Sequence, residues 1–175
     1  MRILVTYATC HGSTAEIARR IANRLESSGD EVECLAMSEV SHLSGYEAVV
    51  AGSAIHDQDW LDDARTFVSR FSADLGALPV WLFSVGMPAA LPGRLASLAM
   101  QEEDHMAAKL SPVVRPRGHR LFSGVVRKEH LTPGGRAKFR LIGGRYGDFR
   151  NWEEIDNWVA AVAEDLRSAA QRPGC

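Results

Sequence analysis

The chain reads as a doubly wound α/β domain, a mainly parallel five-stranded sheet with helices on both faces. Three observations predict it. Short, wholly apolar runs alternate with longer segments of helical periodicity, the pattern of βα units. The apolar runs lack a polar face, as strands covered on both sides must. The first run is followed at once by a tight, hydroxyl-bearing loop and a long amphipathic stretch.

The elements follow in order. Arg2 to Tyr7 is a buried strand. Ser13 to Ser28 carries Ile17, Ala18, Ile21, Ala22 and Leu25 on one stripe, a helix closed by Gly29. Glu31 to Ala36 alternates charge with apolar residues, as a half-exposed edge strand does. Tyr46 to Gly52 and Pro79 to Val85 are further buried strands. Between them Trp60 to Phe71 forms a helix with Leu61, Ala64, Phe67, Val68 and Phe71 inward. Arg94 to Leu110 is another helix, His119 to Val126 the fifth strand, and Trp152 to Ala169 the closing helix.

With 175 residues, 46% of them hydrophobic, the chain can bury one substantial core, so residues 1–175 are expected to form one domain. Met1-Arg2-Ile3-Leu4-Val5 passes straight into a strand without the charged and apolar regions of a signal peptide, and no apolar run nears membrane-spanning length. A cytoplasmic location is expected. Cys10, Cys34 and Cys175 have no paired spacing, which argues against a disulfide framework or a structural metal site. The net charge of -2 conceals an uneven distribution: Lys109 to Arg150 holds eleven Lys or Arg against Glu129 and Asp148 alone. Within this zone a basic insertion of about residues 127–150, carrying Pro133-Gly134-Gly135 and Gly143-Gly144, precedes the last helix. It is either a solvated arginine-rich surface or a site for an anionic partner. Nucleic acid is not expected, because the zone has no recognition-helix pattern and no interleaved stacking aromatics.

The richest segment is Thr9-Cys10-His11-Gly12-Ser13-Thr14. A strand ends, hydroxyls and backbone N–H groups gather, and the positive end of a helix dipole points at whatever anion sits there. Absent residues narrow the choice. A Walker A loop needs a lysine, and none occurs before Lys109. A dinucleotide fingerprint needs three glycines where only Gly12 stands. A low-molecular-weight phosphatase loop needs an arginine six residues after its cysteine, where Glu16 stands, and a receiver domain needs paired acids where Ala8 and Thr9 stand.

In doubly wound sheets ligands sit beyond the carboxyl ends of the strands where strand order reverses. That brings the first loop beside Ser53-Ala54-Ile55-His56 and Ser84-Val85-Gly86-Met87, two turns poor in charge and suited to an uncharged planar ring. Trp60 either stacks on that ring or anchors its helix. His56 either serves the reaction or is merely solvated, and Met87-Pro88 either shapes the pocket or is a plain turn. No metal ligand set appears.

These residues resemble the flavodoxin family, whose phosphate loop, roughly [ST]-x-T-G-x-T, is matched by Thr9, Gly12, Ser13 and Thr14, with His11 in place of the usual hydroxyl. The Ser53-Ala54-Ile55 turn, Leu82-Phe83-Ser84-Val85, and Gly143-Gly144 to Asp148 followed by Asn151-Trp152-Glu153 look like the flavodoxin-type protoporphyrinogen oxidases that reduce menaquinone. An insertion before the last helix is also a habit of that family. The resemblance implies FMN, its phosphate at Thr9, Cys10, His11, Gly12, Ser13 and Thr14. Its ring would lie between Ser53, Ala54, Ile55, His56 and Ser84, Val85, Gly86, Met87.

The activity implied is an FMN-dependent oxidoreductase, with a quinone or an anionic porphyrin as substrate. Two alternatives stay open: an electron carrier of flavodoxin type, and a flavodoxin-fold binding domain lacking flavin. Arg127, Lys128, Arg136, Lys138, Arg140 and Arg145 are expected on a mobile flap near the flavin, facing an anionic substrate or an anionic membrane surface. The sequence decides neither a catalytic residue nor between monomer and homodimer.

Overall fold

The computed structural model of the chain describes residues 1–57, 59–100 and 114–170. Five parallel strands form the main sheet: β1 (Arg2–Ala8), β2 (Glu31–Ala36), β3 (Ala48–His56), β5 (Val80–Gly86) and β6 (Gly118–Ser123). Their order is β2-β1-β3-β5-β6, so the chain reverses its direction of travel across the sheet at β1. A short β4 (Asp59–Trp60) turns back antiparallel on β3, pairing Ile55 with Trp60 and His56 with Asp59.

The strands are apolar on both sides because each side faces its own core. Leu4, Val49, Ala51, Val80 and Leu82 pack towards α2 (Asp62–Arg70) and α3 (Ser72–Ala77) through Ala64, Phe67, Val68, Phe71 and Leu75. Ile3, Val5, Val50, Trp81 and Phe83 pack towards α1 (Ser13–Ser27) and the closing helix α6 (Trp152–Ala170) through Ile17, Ile21, Leu25, Ile155, Val159 and Leu166. Each large side chain fully removed from water contributes about 1.5–3 kcal/mol before entropy is charged against it. The two layers are therefore what hold the sheet flat between helices.

α1 ends as its sequence requires. Gly29 takes a left-handed φ of +96°, and the N–H groups of Gly29 and Asp30 return to the carbonyls of Glu26 and Leu25. This double closure satisfies carbonyls that the helix leaves unpaired.

Several boundaries differ from the sequence reading, each for a local reason. β3 begins at Ala48 and runs on to His56, because Ser53 and Ala54 pair with Ser84 and Val85 of β5 and the strand then folds over into β4. Trp60 accordingly belongs to this hairpin and not to the helix, which starts at Asp62. That helix breaks at Phe71 (φ -106°) into α2 and α3. The expected Arg94–Leu110 helix is present as α4 (Gly93–Met100), with its remainder outside the described residues. The fifth strand is interrupted at Gly124, after which β7 (Val125–Val126) leaves the sheet to pair with β8 (Gly147–Asp148).

Residues 127–150 carry secondary structure of their own. α5 (Pro133–Leu141) is capped by Thr132, whose hydroxyl accepts the Gly135 N–H at 3.1 Å. Phe139 of α5 packs with Ala90 and Val126, and Leu131, Tyr146 and Phe149 close around them as a small separate core. Among the described residues no helix is long and apolar enough to cross a membrane.

Gly52 lies in β3 directly under the ring of Phe83: a Cβ there would sit 2.2 Å from the ring carbon Cζ. Gly52→Ala is expected to destabilise the chain by about 1–3 kcal/mol through overpacking, read as a fall in the urea unfolding midpoint.

Candidate functional site

The site begins with one backbone conformation. Gly12 caps α1 with φ +89°, a left-handed geometry that strains any side chain, and no side chain caps the helix behind it. The Gly12 N–H turns inward to Thr9 Oγ1 at 3.0 Å, and its carbonyl accepts the Glu16 N–H at 3.1 Å. The amides of Ser13, Thr14 and Ala15 are left pointing out of the helix end, without intrahelical acceptors. Beside them Thr14 Oγ1 is buried with no hydrogen-bond partner among the described residues. A buried hydroxyl left unmade costs about 1–3 kcal/mol, so this group is held ready for something outside the protein.

The cleft above this helix end has a volume of about 240 Å³. Thr9, Cys10, His11, Ser13 and Thr14 form its floor. Ala54, Ile55, His56 and Asp57 form one wall, and Val85, Gly86 and Met87 the next. The three segments expected to converge do so. Gly12 shapes the loop without lining the cleft, and two other expected residues do not line it either.

Ser53 and Ser84 are fully buried, and their hydroxyls are used inside the fold. Ser53 Oγ accepts the Leu61 N–H at 3.1 Å, holding the hairpin to the start of α2. Ser84 Oγ accepts from the Trp60 indole at 2.8 Å and is hydrogen-bonded to His119 Nε2 at 2.9 Å. Trp60, 2% exposed, is therefore an anchor of the hairpin and has no ring face to offer a ligand. His56 is exposed at the mouth, its Nδ1 3.3 Å from Asp57.

Sequence reasoning missed the third wall. Gly124, Val125, Val126, His130 and Leu131 close the cleft from the insertion side. Gly124 is the pivot: a Cβ there would fall 2.8 Å from Val85 and 3.2 Å from Ser13 Oγ, so only glycine lets this segment approach the loop. Its N–H donates to the Gly86 carbonyl at 2.9 Å. His130 lies flat on His11, ring centroids 3.9 Å apart and planes 3° from parallel. The departure from the usual hydroxyl at position 11 is thus explained by a partner far away in sequence, which no local pattern could reveal. The sequence signal available was the glycine between two β-prone pairs.

The cations of the insertion are placed differently from the sequence expectation, since none of Arg127, Lys128, Arg136, Lys138, Arg140 and Arg145 lines the cleft. Arg136 Nε donates to the carbonyls of Lys128 and Leu131 at 2.8 and 3.0 Å, and Arg145 reaches the Ala89 carbonyl at 3.3 Å. Arg150 binds Asp148 through two nitrogens and also Glu16 in the first turn of α1. The paired guanidinium holds the Asp148 carboxyl below its usual range.

Largely apolar walls and an unshielded helix end at the strand-order reversal are the features of a domain suited to a phosphate-bearing cofactor held by backbone and hydroxyl groups. A family model described as the flavodoxin domain matches residues 4–148, and the chain belongs to that family. A curated relative from Escherichia coli K12, protoporphyrinogen IX dehydrogenase (quinone), is 22% identical over 176 residues, covering 93% of this chain and 95% of that protein. Among solved structures, a mutant flavodoxin from Pseudomonas aeruginosa superposes with TM-score 0.60 at 14% identity, covering 95% of this chain and 99% of the other. A flavodoxin from the domain Archaea gives TM-score 0.57 at 18% identity over 95% and 99%. Family membership makes FMN the cofactor and electron transfer the function. The residues fit it: free amides and the orphaned Thr14 hydroxyl suit a phosphate, and Ala54, Ile55 and Val85 a flat ring.

Thr14→Val keeps the shape and removes the hydroxyl. FMN affinity should fall by roughly tenfold or more, the worth of a hydrogen bond to a charged group, while stability without FMN stays level or rises, because nothing is unpaired by the change. Fluorescence titration and urea unfolding of the same variant read both.

Burial first, then His11 and Arg127, lowers the His130 pKa below its ordinary 6.5. The folded chain keeps this ring neutral where the unfolded chain has begun to protonate it. Its contribution to stability is therefore present above 6.5 and lost as the pH falls below that value. Thermal unfolding followed from about pH 7.5 to about pH 5 should show that loss, and His130→Phe, which keeps a flat ring on His11, should remove this part of it.

Proposed function

We propose that the chain is an FMN-dependent oxidoreductase that withdraws reducing equivalents from a reduced porphyrin of the protoporphyrinogen class and delivers them to a quinone. The observation that carries this reading is the third wall: Val125, Val126, Leu131 and the stacked His130 turn an edge into a walled cleft. The apolar body of a macrocyclic substrate is served by such a wall. The likeness to the E. coli dehydrogenase along nearly the full length of both chains supports the same reading.

When bound, FMN supplies acceptance and release of a hydride or of single electrons. This chain's residues do the rest. The Ser13, Thr14 and Ala15 amides and the Thr14 hydroxyl hold the phosphate. Ala54 to His56 and Val85 to Met87 confine the ring and offer backbone groups to its polar edge. Val125, Val126 and Leu131 exclude water from one side. His56, exposed at the mouth beside Asp57, is the imidazole placed to take a proton released as the substrate is oxidised.

The test is an anaerobic assay of the FMN-loaded protein with protoporphyrinogen and a menaquinone analogue. Quinone-dependent formation of protoporphyrin is expected, with kcat lowered about a hundredfold in His56→Ala. A yellow protein that oxidises no porphyrinogen and cycles only between a reductase and a protein acceptor is a carrier, and this reading is then lost. A colourless protein that refuses FMN removes both.

A further inference from the structure

The insertion that walls the cleft also presents an uncovered aliphatic face to solvent. At the end of α5, Leu141 is 88% and Ile142 44% exposed, and on α4 Leu98 is 57% and Leu95 37% exposed. The two elements meet. A Cβ on Gly143 would lie 3.1 Å from Pro92, the residue before α4, and the Arg145 N–H donates to the Ala90 carbonyl at 2.9 Å. Leu141 and Ile142 thus lie beside this junction, and neither is packed in the small core beneath it.

On its insertion side the junction carries positive charge. Lys138 and Arg140 are exposed on the last turn of α5 and make no ion pair among the described residues. Arg145 is spent on a carbonyl and on the face of Phe149, which leaves its charge uncompensated. From residue 127 to 147 the chain carries six Lys or Arg and one acid, Glu129, on a protein whose net charge is -2.

We infer that this face docks the protein on an anionic lipid surface, with Leu141 and Ile142 entering the headgroup boundary and the cations around them meeting lipid phosphates. Charge decides the occupant. A second copy of the chain would set these cations against their own like, whereas an anionic bilayer complements them. Long cationic stems beside apolar side chains suit the boundary between water and acyl chains. The acidic remainder of the molecule is repelled by the same surface, so the protein is oriented as well as attached. The loop from Gly86 to Ala90, whose Met87 lines the cleft, leads directly into the junction. Under the proposed function, which this last point rests on, the cleft opens beside the phase in which a quinone dissolves.

The experiment is sedimentation of the full FMN-loaded chain with unilamellar vesicles of phosphatidylethanolamine and phosphatidylglycerol, against vesicles of phosphatidylcholine alone. Binding is expected to the anionic vesicles only and to weaken as salt rises. Lys138→Glu with Arg140→Glu should lower partitioning by at least about tenfold, Lys138→Gln with Arg140→Gln by less, and Leu141→Ser several-fold, with bound-flavin absorbance unchanged in each. Three results overturn the inference: no binding to anionic vesicles, binding indifferent to these variants, or a stable dimer by light scattering that Leu141→Ser breaks. No porphyrin or quinone enters the measurement, so its failure is separate from failure of the redox reading.

Discussion

Everything at the site depends on one unfilled helix end. At β1 the sheet reverses its winding, and neighbouring connections leave on opposite faces. The gap so created exposes the first turn of α1, whose amides have no side-chain cap among the described residues. Gly12 keeps that end clear by turning the chain left-handed without a side chain in the way. Under the proposed reading a phosphate dianion would be held there by dipole and hydrogen bonds, since among the described residues no Lys or Arg lines the cleft. The arrangement needs a rigid floor. The two apolar layers, with Phe83 lodged under Gly52 and Trp60 pinned to Ser84, supply it.

The polar core below the cleft shows why serines at strand ends mislead. Ser53 and Ser84 sit opposite each other in the β3–β5 register and look like ligand-facing hydroxyls in a list of residues. Their burial is complete, and each hydroxyl spends its capacity on fastening the β3–β4 hairpin. They serve the site by holding Ala54 to His56 in place. Residues that line the cleft and the serines that fasten them are neighbours on the same strand.

What the sequence made legible was what local chemistry determines. Five parallel strands, helices on both faces and the Thr9–Thr14 cradle were readable because apolar runs, helical stripes and a glycine at a helix start act over a few residues. Trp60 was assigned to a helix because its neighbours Leu61, Ala64 and Phe67 have helical spacing, whereas its indole answers to Ser84. His130 was invisible, since its meaning depends on His11 across the fold. The basic residues between 127 and 150 were visible as a group but not by role. Arg136 and Arg145 hold carbonyls, Arg150 holds acids, and Lys138 and Arg140 face outward.

Arg150 links two parts of the molecule that lie far apart along the chain. Its guanidinium grips Asp148 at the end of the insertion and Glu16 in the first turn of α1, the turn that presents its amides to the phosphate. Glu16 alone would place a negative charge near an incoming dianion, and Arg150 offsets it. The same bridge ties the end of the insertion to the first turn of α1. Whatever free energy the docked insertion lends to FMN affinity, bound FMN must return as added stability of the insertion. Protection of the insertion, on the far side of this arginine, should therefore rise when FMN is bound.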